Sequence, residues 1–132
     1  MAKKRILIAE DDPGILKMTM FRLEHEGYDV VAAADGEEAL RQAKAALPIH
    51  LILLDVKMPK LDGLAVCRLL KHQVATAAIP VIVFSGSEAQ LNRLANKCVE
   101  IGAADWIKKP FLSRELMDKV HRALGEQGGA DG

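Results

Sequence analysis

Apolar residues in this chain gather into short blocks separated by polar, helix-periodic stretches. Leu51-Ile52-Leu53-Leu54 is an unbroken apolar run closed by Asp55. Such a run predicts a strand buried on both faces, as in a parallel sheet covered by helices. Ile6-Leu7-Ile8-Ala9, led by Arg5, predicts another and runs straight into Glu10-Asp11-Asp12. Tyr28 to Ala33 and Ile79 to Phe84 give two more strands, the latter ending at Ser85-Gly86. A short fifth covers Asp105 to Ile107 or Lys108, followed by Lys109-Pro110-Phe111.

Helices are predicted between and after these blocks. The first runs from about Gly14 to Glu26, with Asp12 as cap, Pro13 in its first turn and Gly27 as its stop. Ile15, Met18 and Leu23, with nearby Phe21, form its expected apolar stripe, and Met18, Met20 and Phe21 read as core rather than as a partner groove. Asp35 with Glu38 resembles a capping box opening a helix to about Ala46, which Pro48 breaks. A third helix is expected from about Leu64 to His72, after a turn-rich loop from Val56 to Gly63 in which Asp62-Gly63 reads as a turn. A fourth runs from its cap at Ser87 to Ile101 and ends at Gly102. The last is capped by Ser113 and reaches Leu124.

Five strand–helix units in strict alternation imply an α/β fold, a parallel sheet with helices on both faces and right-handed crossovers. Residues 1–124 are expected to form one domain with no room for a second, and residues 125–132 a flexible glycine-rich tail. Composition narrows the function. Half of the 132 residues are hydrophobic, enough for one sizeable core. Lysine plus arginine equal aspartate plus glutamate at 18 each, so no overall electrostatic footprint for nucleic acid or an anionic membrane is present. No apolar run approaches the roughly 18 residues of a membrane span, and Met1 to Arg5 lacks the apolar region of a signal peptide. Cys67 and Cys98 have no CxxC spacing and read as reduced thiols of a cytoplasmic protein. His25, His50, His72 and His121 are scattered over separate elements.

Candidate chemistry stands at the carboxyl ends of the strands, the edge where open α/β sheets bind ligands. The first strand delivers Glu10 and Asp11, the third Asp55, the fourth Ser85 and Gly86, and the fifth Lys109. The second delivers nothing, which suits an edge position, with strands one and three as central neighbours. Three carboxylates then share a crevice. Two like charges about 4 Å apart repel by about 4 kcal/mol at an effective dielectric near 20. Either a pKa rises or a cation binds, and a hard divalent ion such as Mg2+ suits the all-oxygen donors. With a lysine and a hydroxyl beside it, the site suits a phosphoryl group, with Asp55 as nucleophile.

The residues Ile-Leu-Ile-Ala-Glu-Asp-Asp, Leu-Leu-Asp-Val-Lys-Met-Pro-Lys-Leu-Asp-Gly, Phe-Ser-Gly and Lys-Lys-Pro-Phe, in that order at successive strand ends, resemble the receiver domain of two-component response regulators. The resemblance covers roughly Arg5 to Leu124. It implies a flavodoxin-like (βα)5 fold with strand order 2-1-3-4-5. It implies that Asp55 accepts a phosphoryl group from a sensor histidine kinase or a histidine phosphotransfer protein, in a reaction dependent on Mg2+ or a similar ion such as Mn2+. Asp11 would bind the metal directly, Glu10 mainly through water, with Asp55 and the Lys57 backbone carbonyl completing the protein ligands. Lys109 matches the site lysine, Ser85 the switch hydroxyl and Trp106 the switch aromatic. Ser85 stands where threonine is usual and Trp106 where tyrosine or phenylalanine is usual. Lys57 and Ser87 match positions that influence the phosphate's lifetime, and Gly86 leaves room for the group. The implied output is a changed surface on the fourth predicted helix, the fifth strand and the last helix, acting on a downstream protein. No direct nucleic-acid or membrane contact is expected, and the chain is monomeric or a phosphorylation-promoted homodimer. The alternatives are a phosphorylation-silent receiver acting as a constitutive interaction module, and a Mg2+-dependent aspartyl phosphohydrolase. The latter lacks a second acid beside Asp55 and a substrate cap, and a flavin binder is disfavoured because Glu-Asp-Asp replaces a phosphate loop.

Overall fold

The computed structural model describes residues 3–86 and 100–126. Five strands form one parallel sheet: β1 (Arg5–Ala9), β2 (Asp29–Ala33), β3 (Leu51–Asp55), β4 (Val81–Ser85) and β5 (Asp105–Lys108). Their order is β2-β1-β3-β4-β5, as the sequence predicts. The described residues also contain four helices, α1 (Pro13–His25), α2 (Gly36–Ala45), α3 (Gly63–Lys71) and α4 (Ser113–Ala123). The helix expected from Ser87 to Ile101, together with Cys98 and the tail beyond Glu126, falls wholly or largely outside the described residues.

The apolar runs become central strands because a parallel sheet presents both faces to helices. Every residue of β3 and β4 is buried, and so are four of the five in β1. Alternate residues divide between two cores. Leu7, Ile52, Leu54, Val81 and Val83 pack with Ala39 and Ala43 of α2 and with Val66, Cys67 and Leu70 of α3. Ile6, Ile8, Leu51, Leu53, Ile82 and Phe84 pack with Leu23 of α1 and with Leu116, Met117 and Val120 of α4. Burying each large side chain contributes roughly 1.5–3 kcal/mol, so the sheet is the main stabilising element. Strand β4 starts at Val81 rather than Ile79. Pro80 has no N–H for the ladder, although its carbonyl accepts from the Ile52 amide at 3.0 Å.

Three helices begin on an aspartate whose carboxylate accepts from otherwise unpartnered amides. Asp12 accepts from Gly14 and Ile15, Asp35 from Glu38, and Asp62 from Ala65. Gly27, at φ +97°, turns the chain out of α1. Two expectations fail. Ser113 is not the cap of α4: Leu112 holds the extended cap position, with no side-chain cap bond. The first helical bond runs from the Leu116 amide to the Leu112 carbonyl, which leaves Ser113 inside the helix. The stripe expected on α1 holds for Leu23, and for half-buried Ile15, but not for Met18 and Phe21. Thr19 and Leu23 are buried, with Leu16 and Met20 partly so, whereas Met18 and Phe21 are 73% and 72% exposed. At 3.6 residues per turn the inward group spaces as i, i+3, i+4 and i+7, and Met18 and Phe21 fall on the opposite side.

Below the sheet, the chain beyond α4 is tied to the core through Glu126. The Tyr28 hydroxyl donates to Glu126 Oε1 at 2.6 Å, and Lys4 Nζ lies 3.0 Å from Oε2. The Tyr28 hydroxyl foremost, with Lys4 and His121 adding to it against burial, holds the Glu126 carboxyl below its ordinary value. Burial, then the bond to Glu126, pushes the Tyr28 phenol up.

Close approach requires glycine at Gly63, where a Cβ would collide with the Asp55 carbonyl oxygen. Gly63→Ala is expected to lower stability by about 1–3 kcal/mol in urea unfolding, since the obstacle is the backbone of β3. A carboxyl with a depressed folded pKa adds stability above its unfolded value, and that stability is lost as pH falls through the folded value. Thermal melts below pH 4.5 should therefore show a shallower acid loss in Glu126→Gln than in wild type, with the two converging at the lowest pH.

Candidate functional site

The parallel register brings the strand ends to one edge. Strand β1 ends at Ala9, so Glu10 is the first residue past it, and its amide donates to the Ala33 carbonyl of β2 at 3.1 Å. Glu10 is fully buried, and its carboxylate accepts from the Asp12 amide at 3.3 Å. Asp55 closes β3 opposite Phe84 and is only 5% exposed. Asp11, one residue past Glu10, is exposed at the rim. Carboxylate oxygens of Glu10, Asp11 and Asp55 lie within 4.8 Å of one another.

Lys109 arrives from the far side of the sheet. Its amide donates to the Ser85 carbonyl at 2.6 Å, which extends the pairing of β4 and β5 by one residue. Its Nζ donates to Glu10 Oε1 and lies 3.1 Å from Asp55 Oδ2. Burial raises the Glu10 pKa above its ordinary value, and the nearby Asp55 pushes the same way while Lys109 opposes both. Burial disfavours the Lys109 charge, but the bonds to Glu10 and Asp55 more than offset it and hold the lysine pKa above its ordinary value. The Lys109–Pro110 peptide is cis.

Of the residues predicted from sequence, Glu10, Asp11, Asp55 and Lys109 converge. Ser85 is fully buried at the end of β4, next to Gly86. Trp106 is half-buried and packs against the core on the α2 and α3 face. It lies on β5, in register with Val83. Lys57 is exposed in the loop after Asp55. A bond from the Gly63 amide to the Val56 carbonyl, at 2.9 Å, closes that loop. Ser87 lies outside the described residues. Asp62, read from the sequence as part of a turn, is the cap of α3, which starts at Gly63.

Two features escape sequence reasoning. One is the Glu10–Lys109 ion pair, which joins residues 99 apart. The other is a cavity of about 360 Å³ against Lys109, lined by Ile15, Met18, Thr19, Gly86, Pro110 and Phe111. The i, i+4 spacing of Ile15 and Thr19 was the available signal for the α1 side of that cavity.

The arrangement suits a hard cation. Three carboxylates against one ammonium leave an excess of negative charge in a mostly buried place, and all three acids offer oxygen ligands. Among the described residues these three form the only group of His, Cys, Asp and Glu side chains placed to hold a metal. Among the same residues, no helix is long and apolar enough to cross a membrane.

The similarities to known proteins agree with this geometry. The family profile of the response regulator receiver domain matches residues 6–121. The alkaline phosphatase synthesis transcriptional regulatory protein PhoP of Bacillus subtilis is 38% identical over 121 residues, which cover 92% of this chain and 48% of that protein. The chain thus spans about half the length of the curated relatives it matches. A CheY-like receiver domain protein from Methanospirillum hungatei superposes with a TM-score of 0.85 at 31% identity, over 99% of this chain and all of that one. The receiver domain of a sensor histidine kinase from Pseudomonas aeruginosa PAO1 has a magnesium ion coordinated in its active site cleft. It gives a TM-score of 0.84 at 31% identity, over 95% of this chain and 100% of that one. The order of the strands, the acids at their ends and the match over residues 6–121 together place this chain in the response regulator receiver domain family.

Proposed function

We propose that this chain is a phosphorylation-controlled signalling module in which Asp55 takes a phosphoryl group from the phosphohistidine of a sensor histidine kinase or a histidine phosphotransfer protein. The observation that carries this reading is the Lys109 ammonium 3.1 Å from Asp55 Oδ2, in a cluster where three carboxylates converge. An Asp55 oxygen forms the new O–P bond as the N–P bond of the donor breaks, and the imidazole leaves with the bonding pair. Lys109 stands where its N–H groups can turn from Asp55 to a phosphoryl oxygen, and the Ser85 hydroxyl serves another. Glu10, Asp11, Asp55 and the Lys57 carbonyl hold Mg2+, or Mn2+ in its place, and the bound ion supplies positive charge to the crowded acids and the phosphoryl oxygens. The chain acts as an enzyme only toward itself, in gaining and losing its own phosphate.

Modification of Asp55 draws Ser85 inward and Trp106 follows, which changes the surface around β5 and α4 seen by a downstream protein. Lys57 and Ser87 tune the phosphate's lifetime. The partners on this reading are cytoplasmic proteins rather than nucleic acid or membrane, and the chain is a monomer or a phosphorylation-promoted homodimer. Residues 1–124 form the receiver, and of the tail expected at 125–132 Glu126 is bonded back to it by Tyr28 and Lys4.

Acetyl phosphate with Mg2+ should add one phosphoryl group to wild type, read by intact mass, and none to Asp55→Asn. Beryllofluoride with Mg2+ should change the fluorescence of Trp106, the single tryptophan, in wild type alone. No labelling and no fluorescence response would instead identify a phosphorylation-silent module. Mg2+ alone should raise the melting temperature by roughly 10 °C at roughly 100 times its Kd. Asp11→Asn should lose most of that rise while keeping its metal-free melting point near wild type, because Asp11 is exposed.

A further inference from the structure

Among the described residues, Lys60 is the one non-glycine residue at positive φ, at +69°. It stands in the loop between β3 and α3, three residues after Lys57. The Leu61 amide donates to the Pro59 carbonyl at 2.7 Å, which closes a three-residue turn with Lys60 at its centre. A positive φ at the central residue makes this the rarer, strained form of that turn. Backbone strain persists only where the surroundings hold it, and it gathers at sites that use it.

The surroundings here are the first turn of α2. A Cβ on Gly36 would collide with the Leu61 carbonyl oxygen and fall 2.7 Å from the carbonyl carbon, so backbone rests directly on backbone. The Leu61 and Met58 side chains pack against the core on the α2 and α3 face. Lys60 Nζ lies 3.6 Å from Asp35 Oδ2, while Asp35 Oδ1 accepts from the Glu38 amide as the cap of α2. The Lys60 side chain is more than half exposed, so the ion pair contributes little and the Gly36 contact is the firm constraint. Strand β2 sends no ligand to the site, yet the helix that follows it bears on the site's own loop.

We infer that Gly36 and Lys60 are positioning residues for the cation: Gly36 seats the loop against α2, Lys60 gives the loop its turn, and together they preset the backbone that carries the Lys57 carbonyl. This role presupposes the metal contact proposed above for that carbonyl. Neither residue supplies an oxygen to the ion. A ligand already held in place has less freedom to lose when the ion arrives, so the brace sets the affinity for Mg2+ from behind the ligand. Groups that orient a metal ligand in this way change affinity by roughly 10- to 100-fold.

Mg2+ titrations of the full chain, followed by the amide NMR shifts of residues 55–63, give a Kd without any phosphoryl transfer, so failure of the brace is separable from failure of the Asp55 reading. Lys60→Val and Lys60→Gly remove the same charge but differ in backbone preference, because a β-branched residue resists positive φ and glycine accepts it. Lys60→Val should weaken Mg2+ binding roughly tenfold or more, and Lys60→Gly by no more than about threefold. Gly36→Ala should weaken it by roughly tenfold as well, although alanine inside a helix is ordinarily favoured over glycine. Position 60 is exposed, and the amide spectra show whether each variant folds. Equal affinities in Lys60→Val and Lys60→Gly overturn the inference, as does a folded Gly36→Ala that binds Mg2+ like wild type. A Lys60→Val chain that melts lower but keeps wild-type affinity shows the turn to be structural only, and the inference fails. A wild-type chain that binds no Mg2+ overturns the brace and the metal assignment together.

Discussion

Like-charge crowding around one lysine is the constraint on which the structure turns. Glu10 and Asp55 are buried beside one another, with Asp11 at the rim, and Lys109 is placed to bond the first two. Removing a carboxylate from water is costly unless it is paired, and a lone lysine does not neutralise three acids. The sheet therefore holds a charge imbalance in place through apolar packing beneath it. That imbalance is what suits the cluster to a hard cation.

The scaffold keeps this arrangement rigid with few polar contacts. Strands β3 and β4 are buried along their whole length, so their register is fixed by packing on both faces. The loop after Asp55 is pinned where Gly63 comes against the β3 backbone, and Asp62 starts α3 immediately before it. The approach to Asp55 is thus set by two local features of backbone and cap. The far end of the sheet is closed by a separate group, Tyr28 with Lys4, His121 and Glu126, whose chemistry is independent of the site.

Much of the site was legible because each residue ends an apolar run. An unbroken block such as Leu51–Leu54 can only be a strand covered on both sides, and the polar residue that stops it must emerge at the sheet edge. Five such blocks separated by helix-length segments leave few topologies. Where each polar residue points was less legible. Reading Ser113 as a cap rested on residue type alone, whereas the helix starts one residue earlier in backbone terms, at Leu112. Met18 and Phe21 were assigned to the core because they are apolar, yet the positions of Leu16, Thr19, Met20 and Leu23 fix which way α1 faces.

The sequence by itself determined the five strands, their alternation with helices, and the identity of the acids, the hydroxyl and the lysine at their ends. The reason is that hydrophobic periodicity and strand-end position are local properties of the chain. Only the tertiary structure decided that Lys109 bonds both Glu10 and Asp55, that Ser85 is fully buried, and that one side of α1 stands open to solvent. Those facts depend on which distant segments pack against one another and at what register, and no local pattern encodes them.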